Sequence, residues 1–463
     1  MIDRALLSRT AELAADHLAS LDARHAGPLA SHGELRETLG GPLPAEGVAP
    51  AQVIEDLARD SAPGLVASPG PRYFGFVTGG ALPAALAADW LAAAWDQNAF
   101  SALSSPAASV VEEVATGWLL DLLALPPTAG IGLTTGAQMA NVTGLAAARH
   151  ALLAREGWDV EEQGMTGAPA IRVLVGAEAH VTVLRALRLL GFGRASMAIV
   201  EADEQGRMRA DALAGALVAG EGPAIVCAQA GNVNSGAVDP LEQITSAARA
   251  HGAWVHVDGA FGLWAAASPA LATLVAGAAE ADSWATDGHK WLNVPYDCGV
   301  AAVRDPVLHR AAMGMTAAYL GAGGAGERSN SDWVPEASRR ARGFAVYAAL
   351  RSLGRSGARE LVERCCALAR RVAERMEGEP GVEVLNDVVL NQVLLRFGGD
   401  GATTEAVVAR VQADGTCWLG GTQWQGAAAM RVSISNWSTT EADVDQAAHA
   451  ILGAWRSVRG GRY

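Results

Sequence analysis

Between Ile131 and about residue 345 the chain alternates short apolar runs with helix-length amphipathic stretches. The runs are RVLVGAEAH, MAIVEAD, AIVCAQAG, AWVHVDGAF, DSWATDGH and GVAAVRD. They are short, and apolar residues follow one another in them without the polar alternation of a half-exposed strand. Strands buried on both faces and separated by helices belong to a largely parallel sheet covered by helices. The pattern therefore predicts an α/β domain over residues 76–345. Before it, residues 1–75 read as a helical segment broken by GGPLPAEGVAP and SPGPRYFGF. An Ala/Leu/Trp-rich helix follows from about Leu82. After it, residues 346–463 alternate the helix ARELVERCCALARRVAERM, strand-like VEVLNDVVLNQVLLRF and MRVSISN, and a closing helix, which predicts a smaller α+β domain. Ser438 and Glu441 have the spacing of a capping box for the closing helix.

Composition narrows the possibilities. With 463 residues, half of them apolar and 18% charged, the chain can bury a large core in two or three domains. A net charge of −14 argues against nucleic acid and anionic membrane as partners, because both need clustered positive charge. The N-terminus reads as an amphipathic helix and not as a signal peptide, and no run is apolar and long enough to span a membrane. The five cysteines form no CxxC pair, so neither a zinc site nor a disulfide framework is expected. These features predict a cytoplasmic protein.

Candidate chemistry gathers where ligands bind in open α/β sheets, at the C-terminal ends of strands. Four such positions are Thr135-Gly136, His180, Asp258 and Lys290. The strand, Thr-Thr-Gly and helix of GLTTGAQMANVTG offer free N–H groups for a phosphate. Asp258, ending a buried strand, is either satisfied by backbone amides or an anion that keeps a heterocyclic nitrogen protonated. His180 is a core histidine or a ring-stacking one; His256, inside the strand of Asp258, reads as structural. GAGGAG at Gly321–Gly326 has dinucleotide-loop spacing, but no buried strand precedes it and no apolar helix follows, so it reads as a loop.

Lys290 is the only lysine among 35 basic residues. Composition bias explains its rarity, since arginine replaces lysine as a surface cation or anion clamp. Arginine cannot form a Schiff base, because its guanidinium stays protonated. A phosphate cradle, an imidazole, a carboxylate and a reactive lysine, in that order, are what pyridoxal 5'-phosphate (PLP) requires.

ATDGHKWLNVPYDCG, HVDGAFG and GAEAHVTVLRALRLLG resemble the group II PLP-dependent amino acid decarboxylases, which include aromatic L-amino acid decarboxylase and glutamate decarboxylase. The resemblance runs from PRYFGF at residue 71 to RVSISNW at residue 437. It implies a fold type I (aspartate aminotransferase-like) homodimer whose N-terminal segment packs on the partner subunit and whose active sites lie at the interface. It also implies that Lys290 binds the cofactor covalently, His180 stacks on its ring, Asp258 pairs with the pyridine nitrogen and Ala260 lies beneath. Gly136, Ala137, Gln138, His289 and Thr286 would hold the phosphate. Asn232 would lie near the ring hydroxyl, where the animal enzymes usually have threonine. Tyr319 falls where the family has the tyrosine that protonates the carbanion, within a loop closing over the neighbouring site. Arg339, or Arg340 with a one-residue shift, matches the substrate-region arginine, and Phe100 a pocket position. Phe74, Phe76, Trp418 and Trp424 stand as further apolar walls or as ordinary core. The implied activity is decarboxylation of an L-amino acid, aromatic ahead of 2,4-diaminobutyrate or glutamate, with oxidative conversion to an aldehyde as the alternative outcome.

Overall fold

The computed structural model describes residues 3–315 and 328–460. Seven strands form one sheet: β1 (Gly130–Thr134), β2 (Arg172–Gly176), β3 (Met197–Val200), β4 (Ala224–Gln229), β5 (Trp254–Asp258), β6 (Ser283–Asp287) and β7 (Gly299–Val303). Their order is β1-β7-β6-β5-β4-β2-β3. Neighbours from β6 through to β3 run parallel, whereas β7 is antiparallel to both β1 and β6. Two antiparallel steps restore the direction, so β1, β2, β5 and β6 all point their C-terminal ends to one edge. The apolar runs thus give the mostly parallel α/β sheet expected from them, and β1, β4, β5, β6 and β7 are buried along their whole length.

The helices α1 (Arg4–Ala19), α2 (His32–Leu39), α3 (Pro50–Ser61), α4 (Pro83–Trp95), α5 (Pro106–Leu122) and α6 (Ala137–Arg155) lead through the first part of the chain. The longest of these, α6, packs across β5, β6 and β7, and its Ala140 meets Ala285 and Ala301 of the sheet. Small side chains on both surfaces let helix and sheet approach closely. His256 in β5 lies under α6, bonded to Ser283 Oγ and Asn141 Oδ1 at 2.8 Å each. Burial drives its pKa down to about 3, so the ring is neutral. The structural reading of His256 fits this placement.

Residues 79–369 and 386–392 form the compact unit built on this sheet. Residues 1–78, 370–385 and 393–463 form a second one. The N-terminal residues therefore group with the C-terminal part of the chain. The boundary also falls within the helical stretch Gly343–Met376, which is interrupted at Gly354 (φ +59°), and not at residue 346. The second unit contains a four-stranded sheet of Val382–Val384, Gln392–Phe397, Gly420–Trp424 and Ala427–Ser433. Its closing helix, Glu441–Gly460, is capped two residues later than the sequence suggests. Thr440 Oγ accepts from Asp443 N at 3.3 Å while the Asp443 carboxylate accepts from Thr440 N at 3.0 Å. Ser438 is engaged elsewhere: Asn436 Oδ1 takes both its N–H and its hydroxyl. Among the described residues no helix is long and apolar enough to cross a membrane.

Candidate active site

The common strand edge collects the polar residues. Asp258 is the last residue of β5 and is buried, and its Oδ1 accepts from Ala260 N at 3.2 Å. The Ala260 carbonyl in turn accepts from Asp287 N at 3.0 Å, tying the exits of β5 and β6 together. Thr286 Oγ1 also turns to that carbonyl, at 3.4 Å. Asp287, the last residue of β6, sends its carboxylate to the start of α6, where Oδ1 accepts from Ala137 N at 2.6 Å.

Gly136 caps α6 with no side chain and a φ of +154°, a conformation that favours glycine. A Cβ there would meet His289 Cε1 at 3.2 Å and Asp287 Oδ1 at 3.5 Å. The space ahead of the helix, lined by Gly136, Ala137 and Gln138, is therefore bounded by the carboxylate and the imidazole. His289 is fixed through Nδ1, which accepts from Cys298 N at 3.0 Å, and stacks on Tyr296 with ring centroids 4.3 Å apart.

The backbone of Lys290 is clamped. Gly79 passes so close that a Cβ on it would stand 2.0 Å from the Lys290 carbonyl oxygen. Asn293, held at φ +54°, donates from Nδ2 to the carbonyls of Lys290 (3.2 Å) and Trp291 (3.0 Å) and accepts from Gly80 N at 2.7 Å. A rigid backbone leaves only the side chain of Lys290 free to move. Its Nζ lies 3.3 Å from Asp287 Oδ2 and 5.8 Å from the centroid of the Phe261 ring.

His180 caps the helix Val181–Leu189, its Nδ1 2.6 Å from Thr182 Oγ1. Asn232 braces the loop that carries it: Nδ2 donates to the Glu178 carbonyl at 3.3 Å, and Oδ1 accepts from Asn234 N and Ser235 N. The amide of Asn232 thus supports the His180 loop in addition to any ligand contact.

Burial raises Asp258 above the ordinary carboxylate value, opposed by the charges of His180 and Lys290. A cationic heterocycle would relieve that penalty. Burial also lowers His289 below the ordinary imidazole value, against the pull of Asp287, and so favours the neutral ring. A mobile amine, a buried carboxylate beside it, an imidazole at the same edge and a glycine-capped helix start together fit PLP.

The expected substrate residues are placed differently. Arg339 exposes none of its side chain: Nη1 lies 2.7 and 2.9 Å from the Glu112 carboxylate and 3.1 Å from the Ala99 carbonyl, and Nη2 donates to the Leu133 carbonyl at 2.6 Å. The guanidinium of Arg339, which the resemblance places in the substrate region, is thus engaged by groups of its own chain. Arg340 pairs with Asp89 at 2.7 Å on the surface. Phe100, half-buried, lies between α4 and α5, where its carbonyl accepts from Ser331 N. In the second unit Phe76 is exposed at φ +54° and stacks on Trp418 at 5.3 Å. Phe74 and Trp424 are core residues there. Tyr319 and Gly321–Gly326 lie outside the described residues. Sequence reasoning missed Asp287, Asn293 and Glu112. Asp287 was in plain view in TDGHKW, but nothing local announces that its partner is the start of α6.

Residues 33–397 match the family model described as the pyridoxal-dependent decarboxylase conserved domain. The aromatic-L-amino-acid decarboxylase of Bacillus atrophaeus is 27% identical over 401 residues, covering 85% of this chain and 81% of the relative. The L-2,4-diaminobutyrate decarboxylase of Rhizobium meliloti (strain 1021) is 30% identical, covering 77% and 71%. Among solved structures, Oryza sativa TDC with PLP and tryptamine superposes with a TM-score of 0.91 at 25% identity, covering 98% of this chain and 97% of that one. Mouse CSAD, at 22% identity over 97% and 98%, gives 0.89 and shows the shared fold alone.

Proposed function

The chain belongs to the pyridoxal-dependent decarboxylase family and is a PLP-dependent carboxy-lyase of fold type I acting on an amino acid; from that premise we propose that its substrate is an aromatic L-amino acid, released as the amine and carbon dioxide. The observation that carries the site assignment is the convergence of Lys290, the chain's only side-chain amine, with Asp287, His289 and Asp258 at one sheet edge.

Lys290 would hold the cofactor covalently, since its amine is the one side-chain amine in the chain. Asp258 would keep the heterocyclic nitrogen protonated, and buried as it is, it would do so without competition from water. His180 and Ala260 would hold the ring, and Ala137, Gln138 and His289 would receive the phosphate. When bound, the cofactor supplies the electron sink into which the Cα–carboxylate bond breaks. Tyr319 would supply the proton that the amine product needs at Cα. Seclusion of Arg339 by Glu112 supports an uncharged side chain over a glutamate-type one, because a side-chain carboxylate would need a free guanidinium. The similarity to the Bacillus atrophaeus enzyme supports the aromatic class.

Two features support a homodimer. The helices α1, α2 and α3 bury no residue in their own chain, and Leu7, Leu18, Leu39, Val53 and Leu57 on them are exposed. Light scattering should then give twice the 47.6 kDa chain mass. Five buried free thiols support a reducing, cytoplasmic compartment. The substrate test is a screen of L-amino acids with carbon dioxide and amine both quantified. Tyrosine, tryptophan, phenylalanine or dihydroxyphenylalanine should give equal amounts of the two. Turnover of 2,4-diaminobutyrate or glutamate alone would refute the aromatic class, and aldehyde with hydrogen peroxide would refute simple decarboxylation.

A further inference from the structure

Asp287 is a carboxylate where an anion is to be received. Its Oδ1 holds the Ala137 N–H, the first amide of α6, at 2.6 Å and lies 3.4 Å from His289 Nε2. Its Oδ2 lies 3.3 Å from Lys290 Nζ. A residue that only capped α6 would have no need to reach the lysine, and one that only oriented the lysine would have no need to take the amide. Asp287 does both, and its side chain is 4% exposed, so water screens it little. The ionisable groups facing it are His289 and Lys290 from its own loop, Asp258 at the end of β5 and the Cys298 thiol ahead of β7.

We propose that the Asp287 carboxylate is a resident competitor for the cofactor's phosphate: it occupies the α6 amide, and cofactor capture must displace it from there. This rests on the PLP reading of the site. A phosphate ester carries up to two negative charges, and the partial positive end of one helix attracts any anion placed there. Asp287 and the phosphate therefore want the same N–H and repel each other once both are present. Asparagine at this position would keep the shape and an oxygen able to accept from Ala137, while removing the charge.

The test uses apo-protein prepared from wild type, Asp287→Asn and Asp287→Ala, with PLP affinity read by intrinsic fluorescence quenching. Far-UV circular dichroism and melting curves establish that each variant is folded. Asp287→Asn should bind PLP at least about tenfold tighter than wild type, with Asp287→Ala shifted in the same direction. Pyridoxal, which lacks the phosphate, should change by less than about twofold, the gain being confined to phosphate–carboxylate repulsion. Inorganic phosphate should also block PLP capture at lower concentration in the asparagine variant. Folded variants that bind PLP no more tightly than wild type would overturn the competitor role. An equal gain for pyridoxal would overturn it too, by locating the effect at the lysine. Wild-type protein that captures no PLP at all would instead overturn the underlying reading of the site, a distinguishable result.

Discussion

Two cation–carboxylate pairs in the sheet-bearing unit are built to opposite ends. Arg339 and Glu112 both have 0% side-chain exposure, 2.7 Å apart, and carbonyls of Ala99 and Leu133 take further guanidinium protons. Only Nε of that group lacks a partner among the described residues. Lys290 and Asp287 stand 3.3 Å apart, and the amine keeps 17% of its exposure. Breaking the first pair strands a charge in an interior that cannot solvate it. Breaking the second frees a side chain that still reaches solvent and leaves Asp287 its helix amide. Burial of a charge does not by itself mark a catalytic group.

The comparison can be broken most sharply at Lys290. Lys290→Ala should reduce amine formation by at least ~10³-fold, because no other side-chain amine can take over. Borohydride should then fix no cofactor on a side chain, while the melting temperature of the apo-protein shifts by less than about 3 °C. Next in size, Arg339→Ala should cost about 3–5 kcal/mol of stability in urea unfolding, by stranding Glu112. The double variant Arg339→Met, Glu112→Leu should recover most of that loss. An Arg339→Ala protein with unchanged stability and a raised KM would return Arg339 to the substrate site. Asn293→Ala removes hydrogen bonds to the Lys290 and Trp291 carbonyls and from Gly80 N; a loss of about 1–3 kcal/mol is expected, with slower cofactor attachment measured by absorbance. The smallest effect belongs to Arg340→Ala, whose pair with Asp89 is exposed: less than about 1 kcal/mol, with turnover unchanged.

Much of this was readable before folding. The strands came from apolar runs, and Asp258 and Lys290 from their places at strand ends. The capping box was misplaced by two residues because Ser438 and Thr440 have equally suitable chemistry; Asn436, which engages Ser438, decided between them. The ion pair of Arg339 was illegible for a different reason. Its partner Glu112 is 227 positions away, and nothing around either residue signals the other. Phe74, Phe76 and Trp418 were legible as aromatic residues, but burying the first and exposing the second is a decision of packing alone.

What the sequence determined on its own was local and chemical: which segments are apolar on both faces, and that one side chain alone, that of Lys290, can form a Schiff base. Those properties belong to residue types and short-range order, and they hold in any conformation. Tertiary structure decided which charges are spent and which are available. Asp287 meets Ala137 across 150 positions because β6 and β1 point to the same edge, with β7 between them. Chain separation carries no record of such a meeting, since the sheet order that creates it is a global minimum of burial and pairing.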